Sequence, residues 1–275
     1  MDTSTSGSST SSNSTNSTWS HSASTTESIS SSEINPSSES RGEGPETGEN
    51  SSGDVDTMDD TDCRGLSAIK GEVWLELAAD KETLNGIECL DGDLYVLGTV
   101  GDLSGLENLK IILGDLNFAN EGPLINAEGL TSLKRIGGLL QVGIYSGLED
   151  FSGMENLESI GLGLYIWTGL KSVNGLQGVH HIEGSIFIGA EGVEGVPSFV
   201  STKGLGGLKE LGGSLRIYGT SIASLEGFEQ IGKISGLLSL VDNQFLPTCI
   251  AKSLAEKTSP EEVKIKGNLA DECGA

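Results

Sequence analysis

The chain has 275 residues, a formal net charge of −24 and 36% hydrophobic residues. This charge argues against nucleic acid and anionic membrane surfaces as partners, because proteins bind both through Lys and Arg. No apolar run reaches the roughly 18 residues of a membrane-spanning helix, and no Ser-His-Asp, HExxH or phosphate-loop motif occurs, so we expect neither a span nor an enzyme.

Residues 1–62 form the first predicted segment, an acidic tail rich in Ser and Thr with almost no aliphatic side chains. The tail holds 12 acidic residues against Arg41 alone, so −11 of the net charge lies here and −13 in the rest. Such a composition cannot bury enough apolar surface to offset chain entropy, which predicts a disordered stalk. The aspartates over 54–62 lack the Gly and Glu of a calcium loop and are interpreted as an acidic linker.

Residues 63–275 form the second predicted segment, a domain built from a repeat. Seven times an apolar side chain recurs at steps of +3, +3, +4 and +2, with a small residue, usually Gly, midway through the +4 step. The copies begin at Leu84, Leu106, Leu130, Met154, Leu176, Leu205 and Phe228. A unit of 20 to 30 residues cannot bury its own apolar face, so the copies are expected to stack into one elongated core.

Each copy predicts one strand. After the small residue, polar and apolar side chains alternate, as in Gly92-Asp-Leu94-Tyr-Val96, which indicates a strand with one buried face. The preceding steps of three favour a tight turn or 3₁₀ segment. One strand from each copy would form a parallel sheet along a β-solenoid, with strands about 4.8 Å apart. The copies are 22 to 24 residues apart except for one of 29, which places an insertion at about 190–203.

Caps are expected at both ends of the repeat array, because open ends expose core and unpaired strand edges. Residues 63–75 fit the repeat template and predict an N-terminal half-repeat. After the array, Thr248 can N-cap a short helix over Cys249–Lys257, which Pro260 ends. A last strand is predicted over Val263–Ile265.

The four cysteines form two pairs at the two ends of the array: Cys63 with Cys89, and Cys249 with Cys273. We favour disulfides over zinc, because neither pair has CxxC spacing and the adjacent histidines at 180 and 181 lie far from both in sequence. Each closed loop of about 25 residues would contribute roughly 3 kcal/mol. Disulfides imply an oxidising, extracytoplasmic compartment. No signal peptide is visible, so we expect an export or lipid-anchor signal upstream of this chain.

The run from Cys63 through Asn85-Gly-Ile-Glu-Cys89-Leu-Asp-Gly-Asp-Leu-Tyr-Val96 resembles the opening of receptor L domains, found outside the cell in insulin and epidermal growth factor receptors. In those domains an initial Cys pairs with a second Cys just before a strand, which implies the pair Cys63–Cys89. The repeat unit and the closing segment from Pro247 to Cys273 also resemble L-domain-like repeat proteins of bacterial surfaces. The resemblance implies a mainly β fold: a right-handed parallel β-helix or solenoid of about eight coils, with capped ends and a short C-terminal helix. A leucine-rich repeat fits less well, because its characteristic Asn has a counterpart only at Asn243.

The polar positions of the predicted strands should face outward on one side of the sheet. Six aromatic side chains fall there: Trp74, Tyr95, Tyr165, Trp167, Phe187 and Tyr218. Rings with a polar tip are frequent in binding surfaces, so this is the candidate face for a protein or glycan ligand. The alternative is that they are cross-strand partners that only stabilise the sheet.

Three carboxylates, Glu72, Asp93 and Asp115, should form a second column on this face. A solvated sheet edge is the favoured interpretation, and a calcium site is the alternative, because stacked carboxylates repel one another. Arg216 would lie roughly 19 Å from Asp115 at strand spacing, which disfavours a calcium-dependent polysaccharide-active enzyme. We therefore expect a non-catalytic, cofactor-free binding module that is secreted or displayed at the cell surface. A structural spacer or adhesin repeat without a discrete ligand is the other alternative.

Overall fold

The computed structural model describes residues 62–119, 122–143, 146–167, 169–189 and 198–271. In these ranges the chain is mainly β, with two parallel sheets, one α-helix and short 3₁₀ helices over Ala78–Leu84 and Lys203–Leu205. The predicted mainly β class is confirmed. The predicted tail lies almost entirely outside the described residues, so the division at residue 62 stays a prediction. None of the described helices is long and apolar enough to cross a membrane.

Successive strands alternate between the two sheets except for the last two, which belong to the same sheet, and every pairing is parallel. The eight-stranded sheet holds β1 (Ala68–Lys70), β3 (Cys89–Asp91), β5 (Ile111–Ile112), β7 (Arg135–Ile136), β9 (Ser159–Ile160), β11 (His181–Ile182), β13 (Glu210–Leu211) and β15 (Lys233–Ile234). The nine-stranded sheet holds β2 (Val73–Leu75), β4 (Leu94–Val96), β6 (Leu116–Phe118), β8 (Leu139–Val142), β10 (Gly163–Ile166), β12 (Ser185–Ile188), β14 (Leu215–Tyr218), β16 (Leu237–Val241) and β17 (Glu262–Lys266).

Each repeat thus contributes two strands, and the prediction of one strand per repeat was wrong. The predicted strands are those of the nine-stranded sheet. The segment before each of them does contain tight turns, such as the bonds from the Leu106 and Leu109 N–H groups to carbonyls three residues back. It then ends in a second strand, which is only two residues long in β5 and its successors. A two-residue strand shows no alternation in sequence, so pattern analysis cannot detect it.

The core consists of the apolar positions of the repeat and one further set. Every residue of the seven copies at the predicted steps is buried except Ile87, which is partly buried. Buried residues also occur three and six positions before each copy after the first, as at Val100 and Leu103 or at Leu148 and Phe151. The repeat therefore begins six residues earlier than the sequence pattern suggested. The side chains at these two extra positions are also buried.

Four of the copies open on a glycine turn whose N–H donates to a side chain two residues later; the glycines are Gly105, Gly153, Gly175 and Gly227. The Gly105 N–H donates to both carboxylate oxygens of Glu107 (3.0 and 2.9 Å), and the Gly175 N–H donates to Oε1 of Gln177 (2.9 Å). Both glycines have a positive φ, +97° and +96°, that side-chain-bearing residues rarely adopt. The hydrogen bonds from the turn lower the pKa of Glu107. A local sequence signal thus fixes the same turn in successive repeats.

Caps occur at both ends, as predicted. At the N-terminus β1 and β2 form the half-repeat, and a disulfide joins Cys63 to Cys89, as the sequence predicted. At the C-terminus helix α1 (Thr248–Thr258) follows Pro247 and ends at Ser259, one residue before Pro260. Thr248 is the first helical residue and not the N-cap, because its hydroxyl donates to the Leu269 carbonyl (2.9 Å). Cys249 is disulfide-bonded; Cys273, its predicted partner, lies outside the described residues.

Two asparagines connect the last three strands of the nine-stranded sheet. Asn243 is fully buried; its Oδ1 accepts from the N–H (3.1 Å) and the hydroxyl (2.6 Å) of Thr220, and its Nδ2 donates to the Ile217 carbonyl (3.0 Å). Asn268 stands in the same register one strand later, where it accepts from the Asn243 N–H (3.1 Å) and donates to the Leu240 carbonyl (2.8 Å). These side chains satisfy backbone groups where the strands have ended.

Replacing Asn243 with Leu should lower the free energy of unfolding by about 3 kcal/mol. The change leaves three buried polar groups of Thr220 and Ile217 without partners, and each such group costs about 1–3 kcal/mol. Urea denaturation followed by circular dichroism measures the loss. Asn156→Leu is the matched control, because that exposed side chain makes one bond, to the Thr131 carbonyl (2.7 Å), which water can replace. Equal stability of the two variants would show that Asn243 is not a structural bridge.

Candidate ligand-binding face

The outer face of the nine-stranded sheet carries three columns of side chains between the buried positions. The first column runs from Glu72 to Glu262, one residue before the first inward residue of each strand. The middle column is Trp74, Tyr95, Asn117, Gln141, Tyr165, Phe187, Arg216, Ser239 and Lys264. The third column follows the second inward residue and is Glu76, Leu97, Ala119, Gly143, Trp167, Gly189, Tyr218, Val241 and Lys266. All six predicted aromatic residues belong to the middle and third columns.

The first aromatic cluster consists of Trp74 and Tyr95 on adjacent strands. Their rings are stacked, with centroids 4.3 Å apart and planes inclined by 19°. Each ring is also tied to a carboxylate of its own strand: the Trp74 indole N–H donates to Glu72 (3.2 Å), and the Tyr95 hydroxyl donates to Asp93 (3.3 Å). Burial, followed by the nearby negative charge of Asp93, raises the pKa of Tyr95. These rings are a self-contained pair at the acidic end of the face.

The second aromatic cluster is centred on Phe187. The rings of Tyr165, Trp167 and Tyr218 lie around it, with centroid distances of 5.9, 5.7 and 5.7 Å and tilted planes. The Arg216 guanidinium carbon lies 5.7 Å from the centre of the Phe187 ring. Asn117 and Gln141 separate this cluster from the first one along the middle column. The six predicted residues are thus brought together on one face, but as two groups and not as one.

The residues of the second cluster differ in their access to solvent. Trp167 is 38% exposed, whereas Tyr165 and Phe187 are half-buried and Tyr218 is only 5% exposed. Trp167 stands between two glycines of its column, which have no side chains to cover the indole. Tyr218 therefore packs beside the Phe187 ring with little access to solvent, and Tyr165 and Trp167 present aromatic surface to solvent.

The carboxylate column has a structural role in the interior of the sheet. Oδ1 of Asp93 accepts from the Asp115 backbone N–H (2.7 Å), and Oδ1 of Asp115 accepts from the Leu139 backbone N–H (2.7 Å). Ser185 and Ser214 make the same kind of contact further along the column, each with the next strand. Within the described ranges, no group of three or more His, Cys, Asp or Glu side chains could hold a metal ion. The two aspartates thus bridge neighbouring repeats.

Arg216 is the residue of this face that sequence reasoning did not assign to a site. The sequence indicated only that Arg216 is a basic residue far from Asp115, because its contact with Phe187 depends on strand register. The register pairs Phe187 directly with Arg216 on the neighbouring strand. A signal was present in the repeat itself, since both residues occupy the same slot of consecutive copies.

A cavity of about 420 Å³ lies elsewhere, between α1 and the last repeat. Its lining is mainly apolar, with Leu225, Phe228, Ile250 and Leu254, and the Lys257 ammonium at its rim donates to the Glu229 carbonyl. A smaller cavity of about 330 Å³ lies beside the Cys63–Cys89 disulfide. Neither cavity includes a residue of the aromatic clusters, so the sheet face and the cavities are separate features.

No protein-family model matches the sequence, and no curated protein matches it either. The assignment of a function therefore depends on the geometry of the face.

Proposed function

We propose that this chain is a non-catalytic, extracytoplasmic binding module with a receptor-L-domain-like fold, and that it binds a saccharide on the second aromatic cluster. The observation that carries the proposal is the row of half-exposed rings at Tyr165, Trp167 and Phe187 on one sheet face. Rings of this kind offer a large apolar surface together with a polar edge. The faces of pyranose rings carry C–H groups that stack on such surfaces.

The proposed solenoid is right-handed. Successive strands of one sheet are parallel and are connected through a strand of the other sheet, so the chain returns to the same sheet once in every repeat. Connections between parallel strands of one sheet are right-handed in about 98% of cases, because right-handed strand twist favours that crossover. This argument supports the handedness that the resemblance to receptor L domains implies.

A saccharide suits the face better than a protein does. The aromatic surface is a narrow row on β10, β12 and β14, bordered by small or polar residues such as Gly143, Gly189 and Ser185. A stable protein interface instead needs about 800 Å² on each partner with a contiguous apolar centre. A linear sugar chain lying along the row would place successive rings over successive strands.

An extracytoplasmic location is compatible with the cysteines. The Cys63–Cys89 disulfide is of the kind that persists in oxidising compartments, and Cys249 is disulfide-bonded as well. Saccharides at cell surfaces and in extracellular matrices would then be accessible to the module. The predicted Ser/Thr-rich stalk would hold it away from the envelope.

The double variant Tyr165→Ala/Trp167→Ala tests the proposal. A glycan array with the wild-type protein first identifies binding saccharides, and titration calorimetry then gives the dissociation constants. Each exposed ring should contribute about 1–1.5 kcal/mol, so the double variant should bind on the order of 100-fold more weakly. The free energy of unfolding should change little, because both rings lie outside the core.

Phe245→Ala is the control, because Phe245 is an exposed aromatic residue (59%) outside the sheet. It should bind the saccharides as the wild type does. Absence of saccharide binding in the wild type would overturn the proposal and favour a protein partner or a structural spacer. Cleavage of a bound saccharide would contradict the non-catalytic assignment and favour the enzyme alternative.

A further inference from the structure

Arg216 is held on the sheet face, and no carboxylate among the described residues pairs with it. In this part of the chain the ion pairs join other residues, among them Lys110 with Glu88, Lys171 with Glu149 and Lys81 with Asp102. The Nε atom of Arg216 is buried and has no hydrogen-bond partner within the described ranges. Its specific contact is with the face of the Phe187 ring. Because Nε is buried, a ligand from solvent would pair with the terminal NH2 groups of the guanidinium.

The surroundings of Arg216 favour an anion. From β8 to β17, the middle and third columns contain no Asp or Glu, and they end in the cations Lys264 and Lys266. The acids Asp93 and Asp115 lie at the other end of the face, and Glu262 lies in the first column two strands from Arg216. Asp115 is four strands away, roughly 19 Å at strand spacing, which is more than twice the Debye length of about 8 Å at physiological ionic strength. The negative charge of Asp115 is therefore weakly felt at this position.

The planar geometry of the guanidinium favours a carboxylate as the bound anionic group. Its planar fork of N–H donors matches the two oxygens of a carboxylate, and the cation–π contact with Phe187 keeps the guanidinium next to the aromatic row. Tyr165 and Trp167 lie on the other side of Phe187, where a sugar ring would stack. A saccharide with a carboxylate on its ring would contact the exposed rings and Arg216 together.

We propose that the ligand is an acidic saccharide of the uronate class, and that its carboxylate pairs with Arg216 while its ring stacks on Tyr165 and Trp167. This inference rests on the proposed saccharide-binding function. It adds the chemical class of the ligand and a residue that determines specificity. A neutral saccharide of the same shape should bind more weakly, because the guanidinium would remain unpaired.

Polygalacturonate oligomers and their fully methyl-esterified forms test the inference, because the two probes differ only at the carboxyl group, which is an anion in the acid and a neutral methyl ester in the other. The wild type should bind the acid about 10-fold to 100-fold more tightly than the ester at physiological salt. Arg216→Gln should abolish this preference, so that the variant binds acid and ester equally. Arg216→Lys keeps the charge but loses the planar fork, so it should retain only part of the preference.

Arg135→Gln is the matched control. Arg135 has similar burial and also a buried Nε without a partner among the described residues, but it lies on the eight-stranded sheet, away from the aromatic clusters. This variant should keep the wild-type preference, and melting temperatures should show that all three Arg variants are folded. Dextran sulfate of the same length reports general charge attraction, and its binding should be weaker than that of polygalacturonate.

The possible failures are distinguishable. Equal binding of acid and ester, lost in Tyr165→Ala/Trp167→Ala but unchanged in Arg216→Gln, would overturn the carboxylate inference and leave saccharide binding intact. Equal or tighter binding of dextran sulfate would likewise overturn the carboxylate selection. No binding of any saccharide by the wild type would overturn the proposed function itself. The comparison of acid with ester uses the unaltered protein, so it does not depend on the folding of a variant.

Discussion

Replacing Gly175 with Ala should lower the free energy of unfolding by about 2–5 kcal/mol. Gly175 has φ of +96°, and a Cβ there would overlap the carbonyl group of Phe151 in the preceding repeat. The positive φ costs about 1–2 kcal/mol for a residue with a side chain. Forcing two packed backbones apart adds typically 1–3 kcal/mol. The glycine is required because successive repeats approach each other through their backbones at this point.

Three other glycines separate the two contributions. Gly105 has the same turn and φ of +97°, but a Cβ there would have no atom within 4 Å, so Gly105→Ala isolates the cost of φ. Gly184 has no positive φ, yet its Cβ would overlap the Leu162 carbonyl, so Gly184→Ala isolates the steric cost. At Gly232 the nearest atom is 3.9 Å away and φ is not positive, so Gly232→Ala should be neutral.

Urea denaturation of the four variants measures these differences as shifts of the midpoint at unchanged m-value. The expected order of stability is Gly232→Ala, then the two single-cause variants, then Gly175→Ala. If Gly175→Ala and Gly105→Ala lose the same free energy, the repeats are not in backbone contact at Gly175. A change of m-value would instead indicate that the repeats unfold in separate steps.

Removal of the Cys63–Cys89 disulfide should destabilise the domain by about 3–4 kcal/mol. The bond closes a loop with a sequence separation of 26, and loop closure of that length restricts the unfolded chain by an amount in this range. The double variant Cys63→Ala/Cys89→Ala avoids placing a hydroxyl at the buried Cys89 position. Its thermal and urea unfolding, compared with the wild type under oxidising conditions, measures the loss.

Reductant provides the control for this variant. Dithiothreitol should destabilise the wild type by more than it destabilises Cys63→Ala/Cys89→Ala, since the variant has already lost this bond. Titration of the native, unreduced protein with a thiol reagent should detect no free thiol at Cys63 or Cys89. Four reactive thiols under these conditions would contradict both the disulfide and the extracytoplasmic assignment.

The sequence predicted the buried positions of the repeat almost completely. Steps of +3, +3, +4 and +2 identified side chains such as Leu164 and Ile186 that point into one core, because stacking requires the same residue type at the same place in every copy. The half-repeat at the N-terminus and the helix before Pro260 followed from the same template and from local stop signals. The pairing of Cys63 with Cys89 was also predicted.

Features that depend on contacts between repeats were predicted less well. The second strand of each repeat is too short to show an alternation of polar and apolar residues. The buried positions three and six residues before each copy were not predicted, because the steps within each copy already formed a regular pattern without them. The sequence did not predict that Asp93 and Asp115 accept hydrogen bonds from backbone N–H groups of the next repeat. Sequence shows that two residues occupy the same slot; it does not show which atoms of the neighbouring repeat each side chain contacts.

The sequence by itself therefore determined the repeat, the mainly β parallel architecture and the face on which the aromatic residues lie, because each follows from the spacing of side chains along one chain. The tertiary structure decided how that face is divided. Register places Phe187 beside Arg216 and glycines beside Trp167, so one group of rings is accessible and adjoins a cation, while Trp74 and Tyr95 stack on each other. Hydrogen bonding and burial of side chains depend on distances between strands, and only the folded chain fixes those distances.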